Sequence, residues 1–506
     1  MFNIIKILIC ISIVVYGING RAAIEKKLEI SFEEAKAAYK SKDYDQAFHK
    51  FQVLAEQGNV DAQNTLGVMY QKGQGVEQNY EKAFKWFRLA AYQGHLEAQN
   101  NLGVIYAEGL GVGQNKEEAT KWTRRAANRR SLDAQKNLGK MYEQGQGVQQ
   151  DYEEATKWFR LAADQGDPDA QYNLGTMYQQ GQGVEQNYEE AANWLQLAAD
   201  QSYSKAQYLL GVLYANGQGV TQSDGEAAKW TRRAAEQSLP EAEYNLGILY
   251  ANGIGIGQDY EEAVKWLLKA AKQGNLKAQS NLGVMYAKGH GVIRDDEEAA
   301  KWSRSAAEQG ETEAQFNLGV MYLSGQGVDR NYEEGAKWFY LAAKQGFAEA
   351  QYHLGLMHEL GQGMEQNYEE AIHWYRLAAT GWELNKDAQY RLGILYEQGQ
   401  GVAQDYKKAI KWFRLAADQG YSKAQSYLGE IYLNGQGVQQ NRIVAYGLLN
   451  IAKDKKKELE DTLSVLKENM TEDEIREGNM LSKAMGQSGN LLKALDQYTE
   501  KRKISD

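Results

Sequence analysis

The chain has 506 residues and a formal net charge of −10, and it contains only two prolines but 51 glycines. An acidic chain lacks the clustered positive charge that nonspecific nucleic-acid binding requires. The scarcity of proline, together with many helix-forming residues, favours a chain made almost wholly of helices. We therefore expect no nucleic-acid partner and an all-α fold.

The first twenty residues differ in character from the rest. Lys6 precedes an apolar run over residues 7–15, and a small residue, Gly20, closes the segment. A basic start and an apolar stretch too short to span a bilayer comfortably are typical of a secretory signal peptide. We expect residues 1–20 to be a signal peptide and the protein to be secreted or periplasmic. The alternative is an uncleaved signal anchor, and only in that case do we expect contact with a membrane.

Cysteine occurs once, at Cys10, inside this leader segment. After cleavage the mature chain would contain no thiol. Disulfides, cysteine metal sites and thiolate catalysis are then excluded.

A degenerate helical cap is predicted over residues 24–54. Ser31 and Glu34 have the spacing of a capping box, and Phe48 and Phe51 indicate a second helix. Such a cap covers the apolar end of a repeat array.

Tryptophan then recurs every 36 residues, from Trp86 to Trp374, without one inserted residue. A fixed period of this length is the signature of stacked helical repeats. We count eleven units over residues 55–452. In each of them a Gly-x-Gly pair, first seen at Gly73 and Gly75, separates two helical segments.

The first unit shows how one repeat is built. Before the glycines, Ala62, Leu66 and Tyr70 recur four apart and define one face of a helix. After them, Asn79 stands where a helix N-cap is expected. The apolar stripe of the second helix is formed by Ala83, by either Trp86 or Phe87, and by Ala90. The glycine pair ends a helix and lacks a following Lys-Ser or Lys-Thr, so a chain reversal is favoured over a phosphate-binding loop.

The pattern A-Q-x-x-L-G-x-x-Y-x-x-G-x-G-V, followed by D/N-Y-E-x-A-x-x-W-x-x-x-A-A, resembles the Sel-1-like repeats, relatives of the tetratricopeptide repeat. The resemblance implies a right-handed α-solenoid, a superhelix of helix-loop-helix repeats. It also implies an adaptor or protein-binding role. The layout is similar to that of exported bacterial members, one of which binds secretory immunoglobulin A.

Candidate binding residues occupy the position after Ala-Gln in the first helix of each repeat. Two residues before the Leu of the stripe, this position lies about 160° around the helix and should point away from the core of its own repeat. Tyrosine is enriched at binding hot spots, because it offers a large area with a polar tip. The aromatic members of this row, which we predict to contact a partner, are Tyr172, Tyr208, Tyr244, Phe316, Tyr352 and Tyr390. The alternative is that these rings pack on an adjacent repeat.

The register slips once, between Ala379 and Ala388, where the chain gains two residues and contains Trp382. A tryptophan in a lengthened loop is a second candidate for partner contact. It could equally cover the end of a neighbouring helix.

Residues 453–506 predict a helical C-terminal cap and a frayed tail, with Thr471 and Glu474 spaced as a capping box. Among the six histidines, His353 and His358 are five apart and do not converge as metal ligands would. We expect no catalytic residue, no metal and no cofactor; the alternative is an envelope-associated enzyme. The expected partner is a protein or peptide.

Overall fold

The computed structural model describes residues 31–381, 383–453, 459–487 and 490–505. Every regular element in these ranges is an α-helix, and no strand occurs among them. Helices come in pairs, one pair per repeat, and the predicted all-α solenoid of eleven repeats is confirmed. We number the repeats 1 to 11 and call the two helices of each repeat helix A and helix B.

Helix A precedes the Gly-x-Gly loop. Its bounds in repeats 1 to 11 are Val60–Lys72, Leu96–Glu108, Leu132–Gln144, Pro168–Gln180, Ser204–Asn216, Pro240–Asn252, Leu276–Lys288, Thr312–Ser324, Ala348–Leu360, Lys386–Gln398 and Ser422–Asn434.

Helix B follows the loop. Its bounds in repeats 1 to 11 are Tyr80–Tyr92, Lys116–Asn128, Tyr152–Ala163, Tyr188–Asp200, Asp224–Ala235, Tyr260–Lys272, Asp296–Ala307, Tyr332–Lys344, Tyr368–Thr380, Tyr406–Asp418 and Arg442–Lys453.

Two helices precede the repeats, Phe32–Lys40 and Tyr44–Glu56. Three follow them, Leu459–Glu468, Glu472–Met485 and Leu491–Ser505, and the fraying of the tail stays a prediction. Thr471 and Glu474 form the predicted capping box. The leader segment 1–20, with Cys10, lies outside the described residues.

The chain divides into two compact units. Among the described residues, the first comprises 31–242 with Ile254–Ile256, and the second comprises Glu243–Gly253 with the described residues from Gly257 onward. Repeats 1 to 5 therefore belong to the first unit, whereas the second contains repeats 7 to 11 and most of repeat 6.

The Gly-x-Gly loop ends helix A and touches the preceding helix pair. Gly73 caps its helix in the left-handed conformation, at φ 67°, as the glycine pattern predicts. Gly75 also has a positive φ, and a Cβ atom there would lie 2.1 Å from the carbonyl oxygen of Tyr44, which begins the helix Tyr44–Glu56. The second glycine is thus required both by its backbone conformation and by the close approach of neighbouring helices.

The residue after each repeat tryptophan forms the deepest part of the core. Phe159 and Phe339 are fully buried, and so is the smaller Leu195. Most of the tryptophans are only half-buried, although Trp122 and Trp230 are 3% and 4% exposed. The sequence left Trp86 and Phe87 as alternatives for the stripe of helix B; the structure gives that place to Phe87 and leaves Trp86 half-buried beside it.

The tryptophans act between repeats. Trp194 packs on the core made by helix B of repeat 3 and helix A of repeat 4, around Phe159 and Leu174. Trp374 likewise packs on the core made by helix B of repeat 8 and helix A of repeat 9, around Phe339 and Leu354. The 36-residue tryptophan pattern therefore marks the joint between neighbouring repeats.

A row of buried glutamines also links the repeats. Gln63 Nε2 donates to the carbonyl of Ala55 at 3.1 Å, and its Oε1 accepts from Gln93 Nε2 at 2.7 Å. The equivalent pairs Gln165 with Gln135 and Gln201 with Gln171 repeat this arrangement. In these three repeats the buried amide is thereby satisfied by the preceding helix B and by the end of its own repeat.

Candidate functional site

The predicted row after Ala-Gln lies between the A helices of successive repeats. At its start the row is polar: Asn64 Nδ2 donates to Glu97 Oε2 at 3.1 Å, and Asn137 Nδ2 donates to Asn100 Oδ1 at 3.0 Å. The position therefore touches the next repeat even where it is not aromatic. The residue at this position varies between polar and aromatic, and so do the side chains that it contacts in the next repeat.

In the first unit the aromatic part begins at Tyr172. Its ring lies 5.5 Å from that of Tyr203, which precedes helix A of repeat 5, and it packs on the core around Leu195. Tyr203 Oη donates to Asp169 Oδ1 at 2.9 Å. Burial raises the pKa of the Tyr172 phenol.

In the second unit, Phe316 contacts three rings. They belong to Phe339 in its own repeat, at 5.6 Å between ring centroids, and to Phe347 and His353 in the next, at 5.2 and 5.5 Å. The expectation that this position points away from its own core is wrong for Phe316. A ring this long leans from helix A onto the helix B residue that fills the core.

Tyr352 and Tyr390 behave in the same way. Tyr352 lies 5.8 Å from Tyr375 of its own repeat. Tyr390 lies 5.6 Å from Phe413 of its own repeat and 5.5 Å from Tyr421 of the next. Burial raises the pKa of both phenols. The expected direction, away from the repeat's own core, is wrong here as well, for the same reason.

All six aromatic residues of the row are half-buried, so each keeps part of its surface open to solvent. Tyr208 and Tyr244 belong to this group, and Tyr244 packs on the core around Leu267. Trp382, the candidate in the register slip, lies outside the described residues. The structure thus shows five of these rings packed on their own or neighbouring repeats, and the contact of the row with a partner stays a prediction.

Acidic groups accompany the row. Tyr421 Oη donates to Asp387 Oδ1 at 2.7 Å, and Arg391 Nη1 lies 3.2 Å from Glu359 Oε1. Tyr375 Oη donates to the other oxygen of Glu359 at 2.6 Å. These bonds hold the aromatic rings in place and give the face polar points beside apolar ones.

The histidines do not assemble into a site. His353 stacks on Phe339 at 5.1 Å, and burial lowers its pKa. Burial also lowers the pKa of His358. Within the described residues, no group of three or more His, Cys, Asp or Glu side chains could hold a metal ion. None of the helices in the same residues has the length and apolar character needed to cross a membrane.

Sequence reasoning was confined to helix A and missed a departure on helix B of repeat 8. Tyr340 stands there where most repeats have arginine, and it is 45% exposed beside Trp374. Its ring centroid lies 6.0 Å from that of Trp374. A comparison of each helix B position across the repeats would have singled out this residue.

Comparisons with known proteins agree with this architecture. The family model described as Sel1 repeat matches eleven segments: 60–95, 96–131, 132–167, 168–203, 204–239, 240–275, 276–311, 312–347, 348–381, 386–421 and 422–456. No curated protein matches the chain.

Two crystal structures are similar in sequence. A protective antigen present in uropathogenic Escherichia coli strains, which displays an SLR fold, is 34% identical with a TM-score of 0.76 and covers 90% of this chain and 97% of that one. A Sel1 repeat protein from Oxalobacter formigenes is 34% identical with a TM-score of 0.49 and covers 61% of this chain and 89% of that one.

The fold is thus a solenoid of Sel1 repeats, which are related to tetratricopeptide repeats, and this architecture is typical of protein–protein interaction scaffolds. Because the eleven matched segments span most of residues 60–456, the chain belongs to the Sel1 repeat family.

Proposed function

We propose that the chain is an exported scaffold that binds a protein or peptide partner through helix A of successive repeats. In related solenoids this helix lines the concave face, so the assignment of the face is by analogy. The observation that carries the proposal is the row of half-buried aromatic rings on helix A in repeats 4, 5, 6, 8, 9 and 10. Host and envelope proteins are the expected partners.

The contacts of the row suit it to binding. Neighbouring rings already hold Phe316 and Tyr390 in place. Binding a partner would therefore cost little side-chain conformational entropy. Half-buried tyrosines beside acidic groups such as Asp169 and Asp387 offer apolar area and hydrogen-bonding points together.

Export rests on the leader at residues 1–20. The similar E. coli protein is a protective antigen. This similarity supports an extracytoplasmic location. N-terminal sequencing of the protein from its host tests it: a start at Arg21 or Ala23 supports cleavage and secretion or periplasmic release. An intact Met1 in the membrane fraction would favour a tethered adaptor instead.

We propose no catalytic role. The acidic pair at the start of helix B, such as Glu153 and Glu154, recurs in most repeats, where it complements the helix dipole. A feature that recurs along an array is architectural, whereas an active site normally occurs once.

The binding face is tested with immobilised mature chain and extracts of extracellular and envelope proteins. One variant carries Tyr208→Ser, Tyr244→Ser, Tyr352→Ser and Tyr390→Ser. The matched control carries the same change at four tyrosines of helix B that bond only to a nearby glutamine: Tyr80, Tyr152, Tyr188 and Tyr368.

We expect the first variant to lose the captured partner and the control to retain it, with circular dichroism confirming that both are folded. Equal recovery by the unaltered chain and the first variant would contradict the assignment of the face.

A further inference from the structure

A groove opens between repeats 8 and 9, away from the aromatic row. It encloses about 630 Å³, and none of the row residues lines it. We call it the repeat 8–9 groove and define it by Tyr340, Leu341, Leu354, His358, Met364 and Trp374. Leu341 is 42% exposed, as the equivalent leucines of other repeats are, and Tyr340, which is particular to this joint, adds a ring that is 45% exposed.

Equivalent grooves occur at the joints of repeats 5 and 6 and of repeats 7 and 8, where an arginine lines each of them, whereas the bridging arginine is missing between repeats 8 and 9. Between repeats 7 and 8, Arg304 Nη2 donates to Tyr322 Oη at 2.8 Å and spans the space between helix B and the next helix A. Arg124 with Tyr142, Arg160 with Tyr178 and Arg376 with Tyr396 form the same bridge. Only between repeats 8 and 9 are both members exchanged, to Tyr340 and His358.

The rim of the groove carries unpaired negative charge. In other repeats the glutamate of this position pairs with a lysine three residues on, as Glu334 does with Lys337 at 2.5 Å. In repeat 9 that lysine is His373, and the carboxylate of Glu370 makes no ion pair or side-chain hydrogen bond with a described residue. Glu333 is also on the rim; Lys337, which lines the groove too, forms its ion pair with Glu334 and interacts with Glu333 only at longer range.

One wall contains a polar atom without a partner. Nδ1 of His358 is buried and makes no hydrogen bond with any described residue. Buried polar atoms in folded proteins are normally bonded, so the exchange to His358 leaves this joint incompletely hydrogen-bonded.

We propose that the repeat 8–9 groove is a docking site for a peptide segment that inserts one aromatic or aliphatic side chain and places a lysine or arginine beside Glu333 and Glu370. Tyr340, Leu341 and Trp374 supply the apolar walls. The charge on the rim selects a basic partner over an acidic one. The inference rests on the proposed scaffold function but uses a different surface.

The test follows the methyl group of Met364 by NMR in the full mature chain labelled with ¹³C at its methionine methyls. Loss of one signal in Met364→Val, the residue most other repeats carry, assigns it. The buried Met177, in the first unit, is the internal reference. Three blocked tripeptides serve as probes: Lys-Phe-Lys, Lys-Ser-Lys and Glu-Phe-Glu.

We expect Lys-Phe-Lys to shift the Met364 signal and the other two peptides to bind at least about fivefold more weakly. The double variant Tyr340→Arg with His358→Tyr restores the bridge and should abolish the shift. Glu370→Gln keeps the shape and should weaken Lys-Phe-Lys alone. Leu268→Arg, the same kind of change at the joint of repeats 6 and 7, is the matched control and should change nothing.

An unmoved Met364 signal, equal binding of the three peptides, or full binding by the double variant would each overturn the inference. Folding of the double variant is checked on the signal of Met321, which is buried in the second unit, and Glu370→Gln provides a second readout that needs no new packing. The proposed function fails separately, because it is decided by the capture experiment on the aromatic row, which leaves the groove intact.

Discussion

Gly319 of helix A lies against the ring of Phe339 in helix B of the same repeat. A Cβ atom built on Gly319 would come within 2.8 Å of both Cδ1 and Cε1 of that ring. The same relationship joins Gly67 to Phe87 in repeat 1. The glycine of the A-Q-x-x-L-G pattern is therefore needed because the two helices of a repeat pack at a distance that leaves no room for a side chain.

Gly319→Ala should consequently destabilise the protein, although alanine is the better helix former. Overpacking a filled core costs about 1–3 kcal/mol, and the gain in helix propensity returns about 1 kcal/mol at most. We expect a net loss of about 1–2 kcal/mol in the free energy of unfolding, measured by urea denaturation of the mature chain.

The control for that change is Gly257→Ala. No heavy atom lies within 4 Å of a Cβ atom at Gly257, and its φ is outside the left-handed region. Its stability should stay within about 0.5 kcal/mol of the unaltered chain. A Gly319→Ala protein as stable as this control would show that Phe339 can move aside.

Local rules made much of this fold predictable. The glycine that ends helix A, at Gly73, and the capping box at Thr471 both depend on residues close in sequence, so their patterns were sufficient. The choice between Trp86 and Phe87 was not predictable in this way. Adjacent residues on a helix are only about 100° apart, and Phe87 enters the core because Gly67, twenty residues earlier, leaves it space.

The candidate site was predicted less completely for the same reason. The row position could be located from the repeat register, but the contact of Phe316 with both Phe339 and Phe347 depends on side-chain reach across two repeats. The repeat 8–9 groove was missed because Tyr340 and His358 are far apart in the period. Each looks like an ordinary exchange until the structure brings them together.

Repeat 2 contains a defect in the glutamine row that one substitution should repair. Arg129 stands where Gln93 and Gln165 stand in repeats 1 and 3, and it donates to the carbonyl of Gly94 at 2.7 Å instead. Oε1 of Gln99 is thereby buried without a hydrogen bond from any described residue. We expect Arg129→Gln to raise the unfolding free energy by about 0.5–1.5 kcal/mol.

The reverse change, Gln165→Arg in repeat 3, tests the same reasoning. It removes the donor that Gln135 now has, at 2.6 Å, and should lower the unfolding free energy by a comparable amount. Shifts of the same sign in the two thermal melts would contradict this account.

Glu243 makes the stability of the second unit depend on pH. It stands in repeat 6 where the other repeats have the buried glutamine of helix A. Its side chain is 2% exposed and accepts a hydrogen bond from Gln273 Nε2 at 2.6 Å. Burial raises its pKa above the ordinary 4.5. Between the ordinary and the raised value the folded chain therefore holds a proton that the unfolded chain has lost, so stability falls as the pH rises through that window.

Glu243→Gln should abolish this dependence and stabilise the protein at neutral pH by about 1–3 kcal/mol. At a pH below the ordinary value the two proteins should differ little. Melting temperatures from acid to neutral pH measure the effect, and Glu241→Gln, which removes an exposed carboxylate two residues away, is the control. Parallel pH profiles for the unaltered chain and Glu243→Gln would disprove the role of this carboxyl group.

Two serines in the first unit occupy a backbone conformation that suits glycine. Ser202 and Ser238 have φ values of 63° and 61°, at the position where repeat 3 has Gly166 with φ 89°. A left-handed conformation costs a residue with a Cβ atom about 1–2 kcal/mol. Replacing that residue by glycine recovers only part of this cost, because glycine also makes the unfolded chain more flexible. Ser202→Gly and Ser238→Gly should each stabilise the protein by about 0.5–1 kcal/mol.

Gly166→Ser is the control, because no heavy atom lies within 4 Å of an added Cβ there and only the backbone conformation is tested. It should destabilise the protein by a similar amount. Urea denaturation of the three variants measures the differences. If Gly166→Ser unfolds at the same urea concentration as the unaltered chain, the left-handed backbone costs nothing here, and the expected gain at Ser202 and Ser238 disappears with it.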